Sequence, residues 1–244
     1  MTDEEISKQR QRAERILDAA AELLLRWGYK RVTIDEVAKR AGIGKGTIYL
    51  HWKTREALFL AVLARDSVKM FDRFIEAVRE DPAEILMHRL LRRSLLVLKE
   101  RPLVQAMLTR DTEVLGSLVT DSTARPLQGR KLASFREYFA LLRSHGLVRT
   151  DMAADDQLYA INAMALGFHL LDPLLMAEER RSLDERAEIL AAMVRSAFEP
   201  ADPPDPAALR ALAPRIIEEF VQLRASYVQF TQGNSTSTRE SPEE

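Results

Sequence analysis

Between residues 44 and 53 the chain reads GKGTIYLHWK. Lys45 and Lys53 bring ammonium groups, Thr47 and Tyr49 hydroxyls, and His51 an imidazole. These groups contact phosphate oxygens and, in part, base edges. At helical spacing Lys45, Gly46, Tyr49 and Leu50 project together, while Ile48 turns to another side as an apolar anchor. Gly44 and Gly46 each weaken an isolated helix by roughly 1 kcal/mol against Ala. That cost suits backbone that must come close to something, and a DNA edge or phosphate is the natural candidate. A structural helical hairpin with a solvated basic rim is the plainer alternative.

The elements that would position these residues are legible upstream. Thr33 and Glu36 have the spacing of a capping box, in which each side chain accepts from the other's amide. Ile34, Val37, Ala38 and Ala41 follow at i, i+3, i+4 and i+7, one buried stripe. Gly42 stands where a helix ends in the left-handed conformation, which Gly adopts without a Cβ penalty. A second short helix from about Gly44 to Leu50 comes almost without a linker, so the pair describes a helix-turn-helix.

The run T-I-x-x-V-A-x-x-A-G-I-x-x-G-T-I-Y-x-H-W-x-x-R-E-x-L, from Thr33 to Leu58, closely resembles the DNA-binding domain of the TetR family of bacterial transcriptional regulators. The preceding helix agrees through Arg15, Ile16, Leu17, Ala19, Ala20, Leu23 and Leu24, closed by Trp27-Gly28-Tyr29. The resemblance covers about the first 60 residues. It implies that Thr33, Thr47, Tyr49, His51 and Lys53 grip phosphates while Lys45, Gly46 and Leu50 approach base edges of double-stranded DNA. Three residues depart from the usual pattern: Trp52 replaces Phe, Arg55 replaces Lys, and Gly44 replaces Ser. The last removes a hydroxyl from the contact set.

Composition fits this class. The chain has 244 residues and no Cys, which suits a reducing cytosol and excludes thiolate metal sites. The first residues are polar and lack the apolar core of a signal peptide, and no apolar stretch is long enough to span a membrane, so the expected location is cytoplasmic. Net charge is −1, but residues 1–55 hold 12 Lys and Arg against 8 Asp and Glu, while the remainder hold 24 against 29. A basic head on an acidic body is the asymmetry expected of a nucleic-acid binder. There is no phosphate loop, G-x-S-x-G elbow or Cys nucleophile, so no enzyme is expected, and no cofactor. His88, His145 and His169 lack metal-ligand spacing, so no metal site is expected either.

The fold class is all-α, with three divisions: a helix-turn-helix domain over 1–56, a helical ligand-binding and dimerisation domain over 57–230, and a disordered tail over 231–244. Thr54 caps a long helix to about Arg79 whose early apolar residues belong with the head and later ones with the body. One rod thus joins the two. Helices are further expected from about Ser7 to Trp27, after Pro82, Pro102 and Pro126, within Asp151–Met176, after Ser182 and from Ala207 to Phe230.

A head of this size reads one half-site, so a homodimer on two half-sites is expected. Tyr159, Ala163, Leu166, Leu170 and Leu174, with Ile189, Ala192, Met193 and Ser196, are the candidate interface. The resemblance implies a four-helix bundle between partners, although an additional helix after the Pro-rich connector leaves the pair undecided. It also implies a small-molecule pocket in the body. Met107, Phe139, Met164 and Phe168 are the candidate lining, with Asn162 and His169 as polar orienters, for an apolar or aromatic effector. The resulting expectation is a repressor on a palindromic operator, released when ligand tilts the head through the long helix. Two alternatives stay open: a helical-bundle adaptor that binds protein, and a ligand-independent regulator or activator.

Overall fold

A computed structural model describes residues 2–98, 100–120, 125–171 and 174–231, and among them every regular element is a helix. The head comprises α1 (Asp3–Trp27), α2 (Ile34–Ala41) and α3 (Lys45–His51), followed by the long α4 (Arg55–Glu80). The starts of α1, α2 and α4 are set by Thr2, Thr33 and Thr54, whose hydroxyls accept from Glu5, Glu36 and Ala57 amides. Both Thr2 and Thr33 complete capping boxes, and Gly42 ends α2 at φ 68° in the left-handed region. Helix α1 begins four residues earlier than expected at Ser7, and Trp27 at its end stands at the surface beneath Arg26.

The body comprises α5 (Met87–Leu98), α6 (Pro102–Thr109), α7 (Thr112–Leu115), α8 (Arg125–Ser144), α9 (Ala154–Leu170), α10 (Leu183–Phe198) and α11 (Pro206–Thr231). Short 3-10 turns follow α4, α7 and α9. The tail expected over 231–244 lies outside the described residues except for Thr231, which closes α11.

Two apolar cores divide the chain. The first joins Ile16, Leu24, Val37 and Ile48 to Leu58–Leu63 of α4, and also to Leu103 and Ala106 of α6 and to Leu115 and Leu118 beyond it. A cut at residue 56 therefore runs through a single core. The second core gathers the lower half of α4 with α5, α8, α9, α10 and α11. Helix α11 runs back antiparallel along α4, as shown by Phe74 against Phe220 at 4.3 Å and Phe71 against Tyr227 at 5.1 Å between ring centres. Arg224 also pairs with Asp72.

Head and body meet at a close backbone contact. Gly28 has φ 71°, and the Tyr29 amide donates to the Val114 carbonyl at 2.8 Å. A Cβ at Gly28 would lie 2.3 Å from the Glu113 carbonyl oxygen, so only glycine permits the approach.

Candidate DNA-binding surface and effector cavity

Helix α3 is held from behind and open in front. Ile48 is fully buried among the head's apolar residues, and Trp52 just past its end is 2% exposed. On the outer side Lys45, Gly46, Tyr49 and Leu50 are exposed, Leu50 to 75%. Lys53 is exposed, and Thr47 and His51 are half-buried at the edges. No atom lies within 4 Å of where a Cβ would stand at Gly44 or Gly46. Neither glycine has positive φ, so the fold itself requires neither.

Several of these side chains already have partners. Lys45 Nζ sits 2.8 Å from Asp35 Oδ2, and that hydrogen bond holds its pKa above the ordinary lysine value. The pair is exposed, so DNA can displace it at little cost. Thr33 is occupied with its capping box: its hydroxyl donates to Glu36 Oε2 at 2.9 Å and accepts from the Glu36 amide at 3.3 Å. Burial lowers the His51 pKa, and the nearby Arg12 guanidinium lowers it further, so the imidazole is neutral at neutral pH. Arg12 was not among the expected contacts. It lies on the exposed, basic first turns of α1 with Lys8, Arg10 and Arg15, and its alternation with polar residues carried no helix-turn-helix signal.

Arg55 replaces lysine for a structural reason. Its guanidinium stacks 3.8 Å above the Tyr29 ring, Nε donates to the Val32 carbonyl at 3.0 Å, and a second nitrogen donates to the Tyr29 carbonyl. A planar fork makes all three contacts at once, which a lysine ammonium cannot. Tyr29 in turn donates its hydroxyl to Glu56 at 2.8 Å, which helps hold that carboxyl below its usual pKa after the helix-start backbone bond.

In the body, a cavity of about 470 Å³ opens between α4, α5, α6, α8, α9 and α11. Met70, Phe71, Phe74, Phe135, Ile161 and Phe220 give it an apolar wall. Of the expected lining, Asn162 and His169 are there. The other four are elsewhere. Met107 lines a separate gap of about 80 Å³ against the head's core, and Phe139 is 1% exposed within the body core. Met164 and Phe168 pack on that core without reaching the cavity. The physical reason on α9 is rotation: each residue turns the helix by about 100°. Ala165 and His169 therefore face the space, and Met164 and Phe168 do not. On α8 the lining residues Gln128, Lys131, Leu132 and Phe135 stop one turn before Phe139. That i, i+3, i+4, i+7 stripe was the sequence signal that would have found the wall.

The helix order, the capped α2–α3 pair and the open face of α3 set the terms for comparison with known proteins. Residues 16–62 match the model of the family described as bacterial regulatory proteins, tetR family. The head of this chain is a TetR-family DNA-binding domain. An uncharacterized helix-turn-helix-type transcriptional regulator of Mycobacterium tuberculosis is 28% identical over 179 residues, 72% of this chain and 81% of that protein. The regulator QacR of Staphylococcus aureus is 42% identical over 50 residues, 20% of this chain and 27% of its own. Among solved structures, SmeT in complex with triclosan superposes with a TM-score of 0.58 at 21% identity, covering 80% of this chain and 100% of SmeT. AibR in complex with isovaleryl coenzyme A and operator DNA superposes at 0.50 and 20% identity, covering 75% and 97%. These structures share the TetR fold of helix-turn-helix head and helical body. The relatives are regulators and not enzymes. Among the described residues no helix is long and apolar enough to cross a membrane.

Proposed function

We propose that this chain is a TetR-family transcriptional regulator, a dimeric repressor that binds a palindromic operator through α3 and is released by a small apolar effector in the body cavity. The observation that carries the DNA reading is the outer face of α3. It has two glycines that nothing inside the protein requires, flanked by Lys45, Tyr49 and an exposed Leu50. Backbone left bare at a helix face allows close approach to a groove edge or phosphate. Lys45, Gly46 and Leu50 then approach base edges, while Thr47, Tyr49, His51 and Lys53 contact phosphates. Thr33 contributes by holding α2 in place.

Exposed apolar residues support the dimer. Tyr159 is 80% and Leu174 81% exposed, and Leu166, Leu170, Ile189 and Met193 are also open to solvent on α9, α10 and the segment between them. Soluble monomers rarely leave such a contiguous surface uncovered. Helix α11 commits its buried face to α4 and α8, which leaves α9 and α10 for a partner. Two α3 helices about 34–36 Å apart would then enter successive major grooves.

The cavity and the small molecules bound by SmeT and AibR support an effector. Leu108 lines the cavity, whereas its neighbours Ala106 and Met107 pack against the head core, so α6 can carry a change between the two. Effector shifts the equilibrium only by its differential affinity for the two states, typically ~1–3 kcal/mol.

The test is a titration of intergenic DNA fragments against the full chain across a range of salt. Tight binding to an inverted repeat, falling steeply with salt, is expected. Replacing Tyr49 with Ala should weaken that binding at least about tenfold, or about 1.4 kcal/mol, with no change in melting temperature. Unchanged affinity would remove α3 from the interface.

A further inference from the structure

The cavity in the body has an asymmetric charge. Arg93, Lys131 and His169 reach its wall, and among the described residues no Asp or Glu does. The three differ in what already engages them. Arg93 Nε is bound to Glu84 at 2.8 Å. His169 has its pKa lowered by burial and then by the Arg186 charge, so it lines the space as a neutral imidazole. Lys131 makes no ion pair or hydrogen bond among the described residues. Its side chain is half-buried on the cavity wall, and desolvation there pushes its pKa below the ordinary lysine value.

An ammonium on a largely apolar, partly desolvated wall without a partner costs stability, and proteins normally pair such charges. Lysine reaches water easily when a helix lets it snorkel. Here Lys131 instead stands between Gln128 and Phe135 on the α8 stripe that faces the cavity, across from Phe71, Phe74 and Phe220. Apart from Arg93, Ser94, Gln128, Asn162 and His169, the rest of the wall is aliphatic and aromatic, which disfavours a highly charged occupant. A single negative charge on an apolar body would satisfy the ammonium and fill the remaining space.

Building on the effector role proposed above, we propose that the cavity takes an apolar monocarboxylic acid, its carboxylate bound by Lys131 and its hydrocarbon or ring lying among Phe71, Phe74, Phe135 and Phe220. His169 and Asn162 lie on the same wall and can donate to the second carboxylate oxygen. The partner charge is supplied by the ligand, which accounts for the absence of an acidic partner among the described residues.

The experiment uses the full chain and matched probes: decanoate, decanol and decylamine, then phenylbutanoate and phenylbutanol. Binding is followed by calorimetry and by the shift in melting temperature. Wild-type protein is expected to bind an acid at least about tenfold tighter than the alcohol of the same skeleton, and the amine weakest. In Lys131→Met, which keeps the stem and removes the charge, the acid should lose that advantage while the alcohol binds as well as before or better. A Lys131→Gln variant gives the same comparison if the methionine variant melts early. The aliphatic and aromatic pairs show which skeleton the wall prefers. Acid and alcohol binding alike in both proteins, or the amine binding best, would overturn the carboxylate assignment and leave the cavity as an effector site. No binding of any probe would overturn the effector reading itself.

Discussion

Trp52 donates its indole N–H to the main-chain carbonyl of Thr231 across 3.2 Å, tying the end of α3 to the end of α11. Phenylalanine, the residue more usual at this place, could fill the volume but could not donate. The indole therefore links α3, the proposed DNA-reading helix, to a helix that runs beside α4. Replacing Trp52 with Phe should cost about 1 kcal/mol for the lost hydrogen bond, read as a lower urea midpoint. Operator affinity should fall by a few-fold, because α3 loses one of its supports. Equal affinity would mean that Ile48 and the head core alone orient α3.

Two glycine-to-alanine substitutions should behave in opposite ways. At Gly46 a Cβ meets nothing, so Gly46→Ala should leave the fold as stable or more so, by up to roughly 1 kcal/mol. Operator affinity should nevertheless drop, since the methyl intrudes where backbone approaches DNA. At Gly28 a Cβ would strike the Glu113 carbonyl at 2.3 Å from a left-handed backbone. Gly28→Ala should destabilise by at least about 2 kcal/mol. Thermal melts and operator titrations on both variants separate the two effects.

His51 should give the proposed DNA surface a pH dependence whose sign follows from its surroundings. Its pKa is lowered by burial and then by Arg12, so the imidazole is neutral at neutral pH and gains its proton only below the ordinary histidine value of 6.5. For folding, a lowered pKa means that the unfolded chain takes the proton first, so this group's contribution to stability is lost as pH falls from that value through the folded one. For DNA binding the sign reverses. Each proton gained adds a cation beside phosphate, so operator affinity should rise and its salt dependence steepen as pH falls. Titrations at several pH values on wild type and His51→Gln test this, the variant being expected to lose the added steepening.

The head was legible because its determinants are local. The Thr33–Glu36 box, the left-handed Gly42 and the Ile34–Val37–Ala38 stripe all act within a few residues, and each is found where sequence places it. The cavity was not, because its wall depends on how α8 and α9 are rotated against partners far away in the chain. A single residue of rotation separates Leu108, on the cavity, from Met107, on the head core. Trp52 and Thr231 are 179 residues apart, and no local pattern announces their bond. Lys131 could have been noticed as a cation in the stripe it shares with Gln128, Leu132 and Phe135, although a surface-seeking lysine reads the same way until its surroundings are known.

The junction between cavity and head holds one further ion pair whose loss should be felt in both. Arg101, at the start of α6, lies 3.6 Å from Asp66 on α4, and both side chains are mostly covered, at 20% and 15% exposure. Burial raises the Asp66 pKa above its ordinary 3.8, and the Arg101 charge is the largest of the influences opposing it. A raised carboxyl pKa means that the group's contribution to stability is full below the unfolded value and is lost as pH rises through the folded one. Replacing Arg101 with Met removes the main compensation and should raise the Asp66 pKa further. The expected cost near neutral pH is on the order of 2–3 kcal/mol, at the low end for breaking a covered pair because some water reaches it. The deficit should shrink on acidification as Asp66 takes a proton, and Arg101→Met combined with Asp66→Asn should recover much of it at neutral pH. Urea unfolding of the two variants at pH 5 and pH 7.5 would decide the matter, since a deficit independent of pH and of Asp66 would make Arg101 a packing residue alone.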